Sequence, residues 1–323
     1  MAKRPFIPIP PPAPLPEPEV IDVPSLVKAY EEGEIDLICV LGPTASGKTR
    51  YAVQLAREIS AEIISADSRQ VYRGMTIGTG KDLEEYGEVP YHLIDIVDAG
   101  EKYDLYRYQH DFEMVFADIR GRGVIPVLCG GTGLYIQAVT HAFALRNVPA
   151  DWELRRRLDE ADDEYLLSEY ERLKEIYNSD AQSDIQSRHR LIRALEVMYA
   201  EEKGLPDGSE VRSTEFYPKK TYYIGTLVDR ETRNARIDAR LDARLEAGLV
   251  DEVRGLLASG VGPEDLIYYG LEYKFVTQYI LGLIDYDAMR LQLATAIHQF
   301  AKRQMTFFRG MEAKGDVIHW TLV

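Results

Sequence analysis

Eight consecutive residues of this 323-residue chain could do chemistry on an anion: Gly42, Pro43, Thr44, Ala45, Ser46, Gly47, Lys48 and Thr49. They fit the phosphate-loop pattern G-x-x-x-x-G-K-[ST]. Glycines let the backbone wrap an anion with its N–H groups pointing inward. A helix starting at the loop adds the positive end of its dipole. Lys48 supplies a point charge, and the Thr49 hydroxyl is a candidate ligand for Mg²⁺. The loop specifies a phosphate or diphosphate. It leaves open whether the ligand is a nucleotide and which reaction follows.

The flanks are those such a loop requires. An apolar run from Ile35 to Leu41 predicts a strand before it, and Val53, Leu55, Ala56 and Ile59 predict a helix over 49–60 after it. Residues 61–67 read as a second short strand ending in Asp67. In open parallel sheets ligands sit beyond the carboxyl ends of strands. That rule brings Asp67, Ser68, Arg69 and Gln70 near the phosphate loop. Residues 91–97 read as a third strand and 104–120 as a helix. Residues 123–139 form another strand-loop-helix unit with Thr132 in its glycine-rich turn. The alternation predicts an α/β fold, a P-loop NTPase-like parallel sheet flanked by helices.

The pattern changes near residue 147. Asp151 to Ala200 is helical and highly charged, with Arg155, Arg156 and Arg157 near its start, and a loop rich in Gly, Pro and Ser follows over 203–218. Strand character returns at 221–228. The expected organisation is a proline-rich tail (1–33), a first core segment (34–146), an inserted helical domain (147–217) and a second core segment (218–323). Residues 25–33 could form a short helix leading into the first strand. Residues 1–24 hold more than half of the 16 prolines, a composition suited to extended polyproline II or to a flexible tail. In 231–247, Arg233, Arg236, Arg240 and Arg244 share one helical face beside an apolar stripe of Ile237, Leu241 and Leu245. Such a face is either a solvated, salt-bridged surface or an anion site. The final helical region, 285–310, interleaves Lys302, Arg303 and Arg309 with Phe300, Phe307 and Phe308, which read as core aromatics. The last residues read as an edge strand.

Composition narrows the function classes. Hydrophobic content of 46% and charged content of 28% describe a globular protein with a sizeable core. A net charge of −15 argues against bulk attraction to nucleic acid or an anionic membrane, though not against a local basic groove. Cys39 and Cys129 fall in apolar strands and read as core residues of a reducing compartment. No apolar run reaches membrane-spanning length, and prolines replace the apolar segment of a secretory signal. A cytoplasmic enzyme is the expectation, with no membrane partner.

Taken together, LGPTASGKT, SADSRQVYRGMTIGTGK, LCGGTGLY, RALEV, DRETRNARIDARL and AKRQMTFFR, in this order, resemble the tRNA dimethylallyltransferase (tRNA isopentenyl transferase) family over about residues 35–312. The resemblance implies transfer of a dimethylallyl group from dimethylallyl diphosphate to N6 of an adenosine beside the tRNA anticodon. It implies Asp67 as general base, with Thr132 and Arg240 aiding the leaving diphosphate. Residues 42–49 and Arg236 would bind that diphosphate, with Mg²⁺ at Thr49. Ser68, Arg69, Gln70, Arg155, His189, Arg190 and Arg193 would meet the anticodon stem-loop. The sequence departs from the family pattern at Gly80 and Asp82, where the family usually has alanine and proline, and at Tyr91, His189 and Glu272. A monomer is expected from the fold type. Competing readings are a free adenylate prenyltransferase, a small-molecule P-loop kinase, and a non-enzymatic RNA or partner binder.

Overall fold

In the computed structural model, strand β1 (Leu37–Leu41) is buried along its whole length. Leu37, Cys39 and Leu41 enter one hydrophobic core while Ile38 and Val40 enter another. A strand covered on both faces belongs in the middle of a parallel sheet. The structure describes residues 15–143, 145, 147–177, 187–204 and 216–323. Most of the proline-rich segment and of the loop expected over 203–218 lie outside the described residues.

Helix α1 (Val23–Glu31) precedes β1, and α2 (Lys48–Glu58) follows the phosphate loop. Then come β2 (Glu62–Ser65), a short 3₁₀ turn at Leu83–Glu85, β3 (Tyr91–His92), α3 (Leu105–Gly121), β4 (Pro126–Gly130) and α4 (Gly133–Thr140). Helices α5 (Trp152–Glu160), α6 (Asp163–Tyr177) and α7 (Arg188–Glu202) follow. The chain closes with β5 (Thr221–Leu227), α8 (Arg230–Glu246), α9 (Leu249–Ala258), α10 (Pro263–Tyr268), α11 (Leu271–Ile280), α12 (Tyr286–Glu312) and β6 (Ile318–Leu322). All strand pairs are parallel, in the order β3-β2-β4-β1-β5-β6. The carboxyl ends of β1, β2 and β4 therefore share one edge of the sheet, and each runs into a loop singled out by the sequence.

Two units are distinguished, Met1–Ala142 with Phe216–Val323, and Phe143–Glu215. The second is the expected helical insertion, a few residues offset from 147–217. Its own core is built from Leu158, Leu166, Leu173, Leu195 and neighbours on α5, α6 and α7. Tyr217, assigned by sequence to the insertion, is instead buried in the sheet unit, where its hydroxyl donates to the Gln109 carbonyl at 3.1 Å.

Three other expectations need correction. Residues 19–33 are not a free tail. The Glu19 N–H donates to the Trp320 carbonyl at 2.7 Å, and Leu26 of α1 is buried in the sheet core. The third strand ends after His92 instead of reaching Val97, because Leu93 and Asp95 take positive φ values of 62° and 55° that break the ladder. Helices α9, α10 and α11 were not anticipated. The final strand is an edge strand as expected, and Cys39 and Cys129 are free, buried core residues.

At the amino end of β2, Glu62 ties three segments together. Its carboxylate accepts from Nη2 of Arg122 at 2.7 Å and contacts Nε2 of His92 at 2.8 Å. The hydrogen bonds from Arg122 outweigh the cost of burial and lower the Glu62 carboxyl from 4.5 to about 2. A carboxyl lowered on folding stabilises the fold fully above its unfolded value, and that contribution is lost as pH falls through the folded value. Arg122 is open to solvent, so the net effect is discounted. Glu62→Gln should cost about 1–2 kcal/mol at neutral pH. Denaturation of both proteins at a series of pH values should show the gap narrowing below pH 4.5 and vanishing towards about 2.

Candidate active site

Gly47, with φ of +86°, turns the chain out of the phosphate loop and into α2. The loop's interior is fixed by a buried hydroxyl pair: Ser46 Oγ lies 2.6 Å from Thr226 Oγ1 of β5. A Cβ on Gly42 would lie 2.1 Å from Thr226 Oγ1, so glycine is required there for that packing. The Ser46 hydroxyl thus holds the loop to the sheet instead of facing ligand. Thr44, Lys48 and Thr49 do face inward, lining a cavity of about 460 Å³.

The other two strand-end loops close on the same cavity. Asp67, Ser68, Arg69 and Gln70 follow β2, and Thr132 lies between β4 and α4; all line the cavity. Thr132 Oγ1 accepts from the Ser68 N–H at 3.1 Å, joining the two loops. The Asp67 carboxylate accepts from the Arg69 N–H at 2.8 Å, a local turn that fixes its orientation. Gln70 Nε2 donates to the Gly80 carbonyl at 3.2 Å. Burial pulls the Lys48 ammonium below the ordinary lysine value, and the Asp67 carboxylate opposes that shift.

Helix α8 brings Arg240 and Arg244 into the lining, whereas Arg236 is exposed and lies outside it. Arg240 is engaged by Asp82 and donates to the Gly80 carbonyl at 3.3 Å. The departures at 80 and 82 share one backbone explanation. Gly80 has φ of +60° and Asp82 φ of +36°. Proline cannot adopt the latter, and alanine is strained at the former.

Sequence reasoning missed several residues of the cavity wall. Phe300 and Phe307 of α12 line it, and only Phe308 of that aromatic trio is core. Gly78, Tyr269, Glu272 and Tyr273 also line it. Gln304 of α12 bridges two loops: its Oε1 accepts from the Thr44 N–H at 2.8 Å, and its Nε2 donates to the Gly131 carbonyl at 2.8 Å. Behind the wall, Glu252 of α9 accepts backbone N–H groups of Thr76, Ile77 and Gly78 at 2.9, 2.7 and 3.0 Å, and the Tyr273 hydroxyl at 2.7 Å.

In the helical unit, the basic residues assigned to RNA fall into two groups. Arg155 and Arg193 both grip Glu196, whose carboxylate is 1% exposed. Arg155 donates to it at 2.9 and 2.7 Å, and the Asp151 N–H adds a bond at 2.6 Å. Burial raises the Glu196 carboxyl, but the bonds from Arg155 and Arg193 outweigh it and hold it below the usual range. These two arginines therefore serve the unit's own packing. His189 and Arg190 are exposed on α7.

An anion cradle and a carboxylate at the strand ends, with arginines lining the same cavity, form the setting in which likeness to known proteins becomes informative. The chain matches the IPP transferase family over residues 70–311 and the isopentenyl transferase family over 35–89. The chain belongs to the IPP transferase family. It is 50% identical over 298 residues to tRNA dimethylallyltransferase 1 of Parabacteroides distasonis, covering 91% of this chain and 93% of that protein. It is 52% identical over 290 residues to tRNA dimethylallyltransferase 2 of Porphyromonas gingivalis, covering 88% and 93%. The crystal structure of the full-length tRNA isopentenylpyrophosphate transferase of Bacillus halodurans superposes with a TM-score of 0.63 at 33% identity, covering 89% of each chain. A eukaryotic dimethylallyltransferase solved acting on tRNA shares the fold, with a TM-score of 0.66 at 24% identity. No helix among the described residues is long and apolar enough to cross a membrane.

Two outcomes follow from these contacts, one for the cavity and one for the helical unit. Gln304→Ala would strand a backbone donor and a backbone acceptor together, a loss of about 2–3 kcal/mol in stability by thermal melting. It should also loosen the cradle, raising KM for the diphosphate substrate. Glu196→Ala would leave two arginines against a partly buried space. It should destabilise the helical unit by about 3 kcal/mol, measured by limited proteolysis and melting.

Proposed function

We propose that the chain transfers a dimethylallyl group from dimethylallyl diphosphate to N6 of an adenosine next to the anticodon of tRNA, releasing diphosphate. The observation that carries this reading is the shared cavity: Lys48, Thr49, Asp67, Thr132 and Arg240 all line it. The relatives' names favour it over the free-nucleotide, kinase and non-enzymatic readings.

The chemistry assigns each residue a task. An exocyclic amine conjugated to a purine is a poor nucleophile, so its proton must leave as the new bond forms. Asp67 takes that proton. The nitrogen lone pair forms the bond to the allylic carbon while the carbon–oxygen bond breaks and its electrons depart with diphosphate. Lys48, the loop N–H groups, Thr132 and Arg240 receive the developing charge. The Arg240 guanidinium must exchange Asp82 for the diphosphate to do so. Mg²⁺ suits the donor set: Thr49 lines the cavity beside Lys48, and its hydroxyl would hold the ion together with substrate oxygens. When bound, Mg²⁺ would neutralise charge on the leaving group.

The target adenosine must leave its stack to bring N6 to Asp67, so a single-stranded loop with an extruded base is the natural acceptor. Ser68, Arg69 and Gln70 line the cavity and would meet that nucleotide, while His189 and Arg190 would meet the anticodon arm. A reducing, cytoplasmic setting fits the two free buried cysteines.

The test is prenylation of an unmodified anticodon stem-loop by the purified protein. Asp67→Ala should reduce transfer by at least about 100-fold while leaving the fold and RNA binding intact. Transfer at the wild-type rate in that variant would remove the base assignment. Rapid prenylation of free AMP with none of RNA would move the substrate to free nucleotides.

A further inference from the structure

Arg244 is a costly residue to place where it lies. Its side chain is 15% exposed, and its one ion pair among the described residues is with Glu272, at 3.4 Å from Nη1 to Oε1. A guanidinium carries five N–H donors, and a single long contact leaves most of them unspent. Burial and the neighbouring Arg240 both act against its charge. Glu272 is also enclosed; burial raises its carboxyl above the usual range and Arg244 opposes the rise. Both side chains line the cavity.

Gly80 explains how two cations come to stand together. A Cβ at this position would lie 1.5 Å from Nη2 of Arg244 and 2.6 Å from Nη2 of Arg240. The two guanidiniums therefore converge on the space that a side chain at 80 would fill. Two like charges at close range in an enclosed site repel unless an anion lies between or beside them. Asp82 and Glu272 partly meet that need, one for each arginine. The unspent donors of Arg244 remain available to an anion entering the cavity.

We infer that Arg244 is a second anion-binding arginine of the cavity, acting beside Arg240 on the diphosphate group, and that Glu272 is the positioning residue that aims it. Gly80 supplies the room. The inference rests on the diphosphate reading of the cavity and adds to it a residue that the phosphate loop does not reveal. Glu272 acts only through Arg244. It fixes one edge of the guanidinium and leaves the opposite edge for the ligand.

The test uses isothermal titration of the full chain with inorganic pyrophosphate in the presence of Mg²⁺, with folding checked by circular dichroism. Arg244→Gln should weaken binding by about 10- to 30-fold, the scale of charge-assisted hydrogen bonds. Gly80→Ala, which crowds both arginines, should weaken binding at least as much, and the Gly80→Ala/Arg244→Gln double variant should be no weaker than Gly80→Ala alone. Glu272→Ala should weaken binding, and Glu272→Gln, which keeps an acceptor oxygen, should restore most of it. In turnover these changes should raise KM for the donor with little change in kcat. Wild-type affinity in Arg244→Gln would overturn the inference, as would simple addition of the two single losses. Lys48→Ala separates the two levels. If it weakens binding while Arg244→Gln does not, the cradle stands and this inference falls. If the wild type binds no pyrophosphate, both fall.

Discussion

The site depends on one buried amide. Gln304 receives a hydrogen bond from the loop after β1 and gives one to the loop after β4. Two anion-binding loops from separate strands are thereby locked by a side chain that uses both ends of its amide at once. A Cβ on Gly131 would lie 2.4 Å from Gln304 Nε2, so the glycine and the glutamine specify each other. The two backbone groups have no other partner among the described residues, and an unmet, mostly buried backbone group is expensive. Preorganisation of this kind is what an anion cradle needs, since its donors must already point inward when the charge arrives.

The chain is acidic overall, with a net charge of −15, yet the cavity gathers Lys48, Arg240, Arg244 and Arg303. Exposed acidic groups are screened within about 10 Å at moderate salt, whereas enclosed cations interact through a poorer dielectric. The local sign therefore governs what enters. Net charge remains informative about the outer surface, where it opposes indiscriminate attachment to nucleic acid. Selectivity for an RNA then has to come from shape and from a small number of placed contacts. In the helical unit Arg155 and Arg193 are turned inward to Glu196, whereas His189 and Arg190 are exposed on α7.

The parts of the site that could be read from sequence are those in which one short segment carries its own reason. The phosphate loop, Asp67 at a strand end and Thr132 in a glycine-rich turn all have that property, and the structure brings them to one cavity. The parts that could not be read are buried polar groups whose partners lie far along the chain. Gln304 occupies the stripe Ile297, Ala301, Gln304, Phe308 and Met311, all buried, and so looked like one position of an apolar face. A polar residue in such a stripe is itself a signal, because burying it demands a partner. Thr226 in β5 is of the same kind, and the half-buried Glu252 likewise has its partners far along the chain. The arginine face of α8 failed differently. Helical spacing groups side chains by direction but not by height along the axis, so Arg236 shares the face of Arg240 while lying outside the cavity. Phe300 and Phe307 point to the cavity and Phe308 to the core because successive helical residues differ by a large rotation.

The segment from Thr76 to Asp82 shows how such distant terms combine. Its start is fixed by Glu252, which accepts three consecutive backbone N–H groups and the Tyr273 hydroxyl. Gly78 packs under that tyrosine, where a Cβ would lie 2.6 Å from the ring. Its end is fixed by Lys81, wholly buried and held by the Tyr72 carbonyl and Asp95. Between these anchors the backbone passes through positive φ at Gly80 and Asp82. A glycine is then needed at 80, a non-proline at 82, and the space vacated above Gly80 is taken by two arginines. The residues at 80, 82, 244 and 272 are thus one decision made at four places in the chain. A change at 80, 82 or 272 alone leaves a guanidinium without room or without a counter-charge, which is why each departure taken separately does not reveal what they do together.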